Sequence, residues 1–295
     1  NIVSKASKEI KEIRIPKGQG ICGWVADRKK PLVVNDVSSD KRFFQKADKK
    51  SKFQTRSILA VPLMVKSECI GVLELINKKN YSIFTPHDTT LLTALANNVA
   101  IAIHNAQLFE DQKEMFMSVV NSFAAAIDAK DHYTHGHSER VTRYSLKIAG
   151  ALDMSQEEID KLELAALLHD IGKIGINTEV LNKPGRLSPD ERAYIEKHPG
   201  IGYDIIRHIK QFENIIAFVR HHHERYDGCG YPDRLKGQQI PLHARIIAIA
   251  DTYDAMTSNR PYRKRMPKKL AMHEIRKNAG TQFDKKLTNI FLKII

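Results

Sequence analysis

The apolar positions change their period near residue 85, and that change divides the chain. Before it, short runs bounded by turn residues read as strands: Ile21 to Ala26 after Gly18-Gln19-Gly20, then Pro31 to Val34, Ser57 to Val65 and Cys69 to Ile76. Ser57 to Leu63 and Gly71 to Asn77 read as partners, with Lys66-Ser67-Glu68 as the hairpin turn between them. From Thr85, residues Leu91, Leu92, Leu95, Val99, Ala102, Ala106 and Phe109 recur at three- and four-residue steps, and the rhythm resumes through Phe116, Val119, Phe123 and Ile127. This predicts one long helix joining two halves. Beyond Asp128 the periodic segments are helical: Glu139 to Leu152, Gln156 to Leu168, Pro189 to His198, Tyr203 to Ile209, Phe212 to His221, Leu242 to Met256 and Leu270 to Asn278.

The expected architecture is an α+β first half over residues 1–106, a linking helix over 107–128 and an all-α second half over 129–295. Charged residues Glu110, Asp111, Lys113 and Glu114 interrupt the apolar stripe of the linking helix, whose middle neither half can bury alone. A homodimer through that helix is the expected remedy; the alternative is two ordinary helices with a break near Asp111.

A chain of 295 residues has room for two cores. Its longest apolar stretch, Ile58 to Val65, is far short of the roughly 20 residues of a membrane helix, so no span is expected. No secretory signal is visible after Asn1, which is not Met, and the sequence is compatible with a fragment of a longer chain. Cys22, Cys69 and Cys229 lie far apart, which fits a reducing cytoplasm rather than a disulfide framework. The net charge of +13 comes from scattered lysines without a nucleic-acid-binding pattern. It points to attraction of a small anionic substrate and not to a polymer.

Of the thirteen histidines, most fall between His132 and His223. His169-Asp170-Ile171-Gly172-Lys173 closes an apolar helix, and Gly172 is expected to end it so that His169 and Asp170 project into a cleft. Companions stand at His137, His198, His222, His223 and Asp251, each near the end of a predicted helix. Five histidines and two aspartates exceed the needs of one ion, so two divalent ions are expected, and imidazole with carboxylate suits iron, manganese and sometimes zinc or nickel. A pair of ions about 4 Å apart acidifies water and stabilises both entering and leaving oxygens on phosphorus. Asp170 is the natural carboxylate to sit between them. The expected activity is metal-dependent phosphodiester hydrolysis.

Two resemblances sharpen these readings. Gly18-Gln19-Gly20-Ile21-Cys22-Gly23-Trp24-Val25, Val61-Pro62-Leu63 and Gly71 to Lys78 resemble a GAF domain over about residues 10–106. This implies an antiparallel sheet with flanking helices, a sensory role for an unidentified small-molecule effector, and an opening helix and strand before Asn1. Asn77-Lys78, Phe84 and Asp88 are similar to the signature of cyclic-nucleotide-binding members, with Thr89 where that signature is acidic. On physical grounds the same residues read as a strand end, a core aromatic and a helix cap.

Gly136-His137-Ser138-Glu139-Arg140-Val141, the His169 motif, His198-Pro199, His222 to Pro232 and Asp251 to Met256 occur in the order of an HD-GYP domain, which the second half resembles. The resemblance implies hydrolysis of cyclic di-GMP to linear pGpG, with GMP as a further candidate product. It implies His137, His169, Asp170, His198, His222, His223 and Asp251 as metal ligands, with Asp170 and Lys173 catalytic. It also implies Gly230, Tyr231, Pro232 and Asp254 at the substrate, where Tyr231 can stack on guanine. Arg260 and Arg263 offer planar forks to a phosphate. Part of the family carries a third-metal glutamate four residues before the first histidine. Tyr133 stands there, so two metals are expected unless Asp131, His132 or His135 substitutes. His221 reads as flanking, and His104, His208, His243 and His273 as surface or packing residues. The rival readings are an HD-type phosphohydrolase acting on another nucleotide and a non-catalytic signalling receptor.

Overall fold

The computed structural model describes residues 2–4, 13–15, 18–44, 54–131, 136–258 and 265–295. The chain forms two compact units, Asn1–Glu114 and Met115–Ile295. In the first, β1 (Ile2–Ser4) pairs antiparallel with β2 (Ile13–Ile15). A second antiparallel sheet runs in the order β3 (Leu32–Val34), β4 (Ile58–Val65), β5 (Glu68–Ile76). The turn between β4 and β5 falls where expected, with Lys66 in the left-handed region.

The apolar run of β4 is explained by burial on both faces. Leu59, Val61 and Leu63 pack with Phe84, Leu92, Ala96 and Ala100, while Ile58 and Ala60 pack with Ile21, Val25, Val34 and Val37. Ile21 to Ala26, expected as a strand, lies instead inside α1 (Gly20–Arg28). Ile21 and Val25 stand four apart and share one helix face, and packing beneath the sheet overrides the strand-like composition.

The signature residues of this unit all brace the fold. Asn77 accepts from the backbone N–H groups of Arg56 and Ser57 and donates to the Gln54 carbonyl. Phe84 is buried. Lys78 pairs with Asp88 at 2.6 Å, and Asp88 accepts from the backbone N–H of Thr85.

The long helix is continuous: α2 spans Pro86–Lys130, without a break near Asp111. Its Val120, Ala124 and Ile127 belong to the core of the second unit. That unit continues with α3 (His137–Ala151), α4 (Gln156–Leu168), a 3-10 turn (Ile171–Gly175), α5 (Thr178–Leu181), α6 (Pro189–Ile195) and α7 (His198–Ile206). It ends with α8 (Ile216–His221), α9 (Leu242–Thr257), α10 (Lys268–Lys277) and α11 (Lys285–Ile294). Among the described residues it holds no strand beyond an isolated bridge between Ala279 and Phe283. The unexpected α11 is capped by Asp284 and buries Leu287 and Phe291. No helix among the described residues is long and apolar enough to cross a membrane.

Candidate metal centre

All seven expected ligands converge. Asp170, His198, His222 and His223 form one group with ligand atoms within 4.8 Å of one another, and His137, His169 and Asp251 form a second. Asp170 stands between them: its Oδ1 is 3.3 Å from His198 Nε2, while its Oδ2 is 3.4 Å from His169 Nε2 and 3.7 Å from His137 Nε2. His137 Nε2 is 3.4 Å from Asp251 Oδ1.

Hydrogen bonds fix the ring tautomers. Nδ1–H of His169 donates to the Ala166 carbonyl at 2.8 Å, that of His198 to Ile195 at 2.8 Å, and that of His222 to Val219 at 2.7 Å. A carbonyl can only accept, so each Nδ1 carries the proton and each Nε2 presents a lone pair. His137 Nδ1–H likewise donates to Asp254 Oδ2 at 2.7 Å. Two such lone pairs, on His198 and His222, face each other at 3.4 Å, and the buried His169 Nε2 has no hydrogen-bond partner. Crowded nitrogen lone pairs and carboxylates are favourable only around cations, so these residues fit divalent ions.

The electrostatics agree. Burial, then the neighbouring His223, pushes His222 well below the ordinary histidine range; burial, then His198, lowers His223 to about 3. Both rings are therefore neutral, as coordination requires. Burial also opposes charge on His137, but hydrogen bonds to Asp251 and Asp254 outweigh it and raise the ring to about 9. The shift places a second proton on Nε2, toward Asp251.

Gly172 does not end α4 in a left-handed conformation; it lies within the 3-10 turn, where the chain touches α7. A Cβ on Gly172 would stand 1.8 Å from the His198 carbonyl oxygen, so glycine is required for close approach. Asp254 is also placed differently from the expectation. It is 1% exposed and lies behind His137, where Arg140 holds it through Nε at 2.6 Å and Nη2 at 3.1 Å. Arg140 follows His137 by three residues and Asp254 follows Asp251 by three, so helical spacing could have revealed both.

Lys173 lines the site, with Nζ 2.7 Å from Asp170 Oδ2 and 3.0 Å from Asp131 Oδ2. Burial works against its charge, but these carboxylates prevail and push its pKa up. The ligands open into a cavity of about 880 Å³. Gly230, Tyr231 and Pro232 form part of its wall, and the Tyr231 ring lies 4.9 Å from that of His223. Buried Glu224 shapes this loop by accepting from the backbone N–H groups of Asp233 and Leu235. His221, expected only to flank the ligands, contacts Asp233 at 2.9 Å. The cavity also brings in Arg225, from the His222 to Pro232 motif, and Arg192, Glu196, Arg234 and Gln282, which carried no sequence signal. His132, Tyr133, His135, Arg260 and Arg263 lie outside the described residues.

This is a helical fold that gathers histidines and aspartates into two groups able to hold metal ions, as in a metal-dependent phosphohydrolase class. The HD domain profile matches residues 121–287 and the GAF domain profile residues 3–103. The chain belongs to the HD domain family, with a GAF domain ahead of the HD domain and relatives of the HD-GYP type. It is 39% identical over 183 residues to a cyclic di-GMP phosphodiesterase response regulator of Xanthomonas campestris pv. campestris, covering 61% of this chain and 48% of that protein. It is 38% identical over 192 residues to a cyclic di-GMP phosphodiesterase of Thermotoga maritima, covering 64% and 52%. It is 34% identical over 210 residues to 3'3'-cGAMP-specific phosphodiesterase 2 of Vibrio cholerae serotype O1, covering 70% and 40%. The match thus spans about half the length of these relatives.

Proposed function

We propose that this chain is a metal-dependent phosphodiesterase that opens a cyclic dinucleotide, cyclic di-GMP foremost, to linear pGpG, with GMP as a further product. The observation that carries the reading is the pair of ligand groups meeting at Asp170 on the wall of a cavity of about 880 Å³. When bound, two divalent ions, iron first and manganese next, supply Lewis acidity toward phosphoryl oxygens and acidify a water. His137, His169 and Asp251 would hold one, and His198, His222 and His223 the other, with Asp170 shared.

Lys173 adds a fixed positive charge beside the reacting phosphate. Its raised pKa retains the proton, which favours electrostatic stabilisation over proton donation. The Tyr231 loop offers a ring face to a base. Arg260 and Arg263 are proposed phosphate contacts on their sequence alone.

The GAF domain is proposed to regulate the site in response to a small-molecule effector. Leu95, Ala102, Phe109, Phe116 and Phe123 recur every seven residues along α2, and Leu95, Phe109 and Phe123 are exposed. That stripe suits a second copy of the chain. A concentration-independent monomer mass would remove the dimer.

Hydrolysis is tested across cyclic dinucleotides and nucleoside triphosphates, with Asp170→Ala alongside the unaltered protein. The expected result is metal-dependent cleavage of cyclic dinucleotides alone and loss of both turnover and bound metal in the variant. Unchanged turnover after chelation would overturn the reading. Cleavage confined to triphosphates would favour the other phosphohydrolase class.

A further inference from the structure

The mechanism leaves one charged pair on the cavity wall unused. Arg192 lies in α6, and Glu196 follows the helix two residues before His198. Arg192 Nε donates to Glu196 Oε1 at 2.9 Å. Both residues line the same cavity as the candidate metal ligands, with side chains 75% and 33% exposed. Among the described residues, the Arg192 Nη groups and Glu196 Oε2 make no hydrogen bond, so a donor edge and an acceptor edge stand side by side. Tyr231 shares the cavity and lies within the electrostatic reach of both charges.

An acceptor beside a donor, near an aromatic face, suits a purine, and their order selects which one. Guanine presents N1–H and an exocyclic N2 amine next to the O6 acceptor. A carboxylate accepts from the first two while a guanidinium donates to the third. Adenine presents an N1 lone pair and an N6 amine, so the carboxylate would meet a lone pair and the guanidinium a donor. Resting on the cyclic-dinucleotide reading above, we propose that Glu196 and Arg192 read one base of the substrate and require it to be guanine.

The consequence differs among three cyclic dinucleotides. Cyclic di-GMP satisfies the subsite in either orientation. 3'3'-cGAMP satisfies it only with its guanine seated there, which presents one of its two linkages to the metals and gives one linear isomer in excess. Cyclic di-AMP fails in both orientations. The pair is partly open to solvent, so discrimination against cyclic di-AMP is expected to be on the order of 10-fold to 100-fold, below the limit of a fully buried polar site.

The test measures kcat/KM for all three dinucleotides with the metal-loaded protein and Glu196→Gln, alongside Kd on metal-free protein and ions per chain. An amide can accept from N6 and donate to N1, so Glu196→Gln is expected to lower the ratio of cyclic di-GMP to cyclic di-AMP at least about 10-fold and to release both linear isomers from 3'3'-cGAMP, with metal content unchanged. A ratio within about twofold of the unaltered protein overturns the guanine subsite while leaving hydrolysis intact. Guanine-selective binding that Glu196→Gln erases, without turnover on any of the three, overturns the hydrolysis and keeps the subsite. Neither binding nor turnover overturns both.

Discussion

Gly172→Ala isolates one contact on which the metal centre depends. The added Cβ would meet the His198 carbonyl oxygen at 1.8 Å, the Gly202 nitrogen at 2.5 Å and the His198 carbonyl carbon at 2.8 Å. Real Cβ contacts stay above 3.0 Å, so the 3-10 turn and α7 must separate by about 1.2 Å, the difference between 3.0 and 1.8. All three obstructing atoms are backbone, so no rotamer change relieves the clash. Overpacking typically costs about 1–3 kcal/mol, and the rigidity here points to the upper end. For a unit the size of Met115–Ile295, about 3 kcal/mol corresponds to a fall in Tm of roughly 6–12 °C. The same shift separates Asp170 from His198, now 3.3 Å apart, so at least one ion per chain should be lost. Calorimetry and elemental analysis read the two effects. Gly150→Ala is the control: nothing lies within 4 Å of its added Cβ inside α3, and it should gain up to about 1 kcal/mol. Gly172→Asn separates close approach from helix termination, since asparagine tolerates the left-handed conformation but not the clash. A Gly172→Ala protein that keeps its Tm within about 2 °C and binds two ions refutes the reasoning.

Two further outcomes follow from hydrogen bonds. Asp254→Ala removes the acceptor for His137 Nδ1–H and strands Arg140; it should lower the occupancy of the ion at His137, His169 and Asp251 by roughly 10–100-fold in affinity. Asp254→Asn, which keeps an acceptor, should recover much of that loss, and equal affinities in both variants would refute the role. Asp88 is held at about 2, below the ordinary 3.8, chiefly by its hydrogen bonds to Lys78 and Thr85. A folded-state pKa below the unfolded one contributes stability that is present above about 3.8 and lost as pH falls through about 2. The Tm difference between the unaltered chain and Asp88→Asn should therefore be constant near neutral pH and close as the medium is acidified from pH 4 to 2; a difference that persists at pH 2 contradicts the assignment.

The cluster of candidate ligands was legible because coordination chemistry restricts residue type, and imidazoles with carboxylates at helix ends remain visible before any packing is known. The long helix and the β4–β5 hairpin were legible because their periods extend over many residues. What escaped was set by tertiary contact. Ile21 and Val25 carry helical spacing inside a strand-like composition, and only the sheet above them decides between the two. Gly172 looked like a terminator because nothing in its own segment announces α7 against it. Arg192 and Glu196 lie outside every motif, and only the fold of α6 brings them to the cavity.

The crowding of ligands at helix ends has a physical cause that the sequence reading did not reach. The last turn of a helix leaves carbonyl oxygens without an intrahelical partner. His169, His198 and His222 each stand three residues beyond such a carbonyl, at Ala166, Ile195 and Val219, in the final turns of α4, α6 and α8. Each orphan acceptor takes the Nδ1 proton and leaves Nε2 bare, so one arrangement satisfies the helix end, fixes the tautomer and orients the ring. His137 opens α3 instead of following a helix end, and no such carbonyl serves it. Asp254, itself braced by Arg140, supplies the missing acceptor one turn beyond Asp251. Three of these histidines thus depend on the backbone for their competence, whereas His137 depends on a single side chain. Substitutions outside the ligand set should therefore disable the His137, His169 and Asp251 group most readily through Asp254.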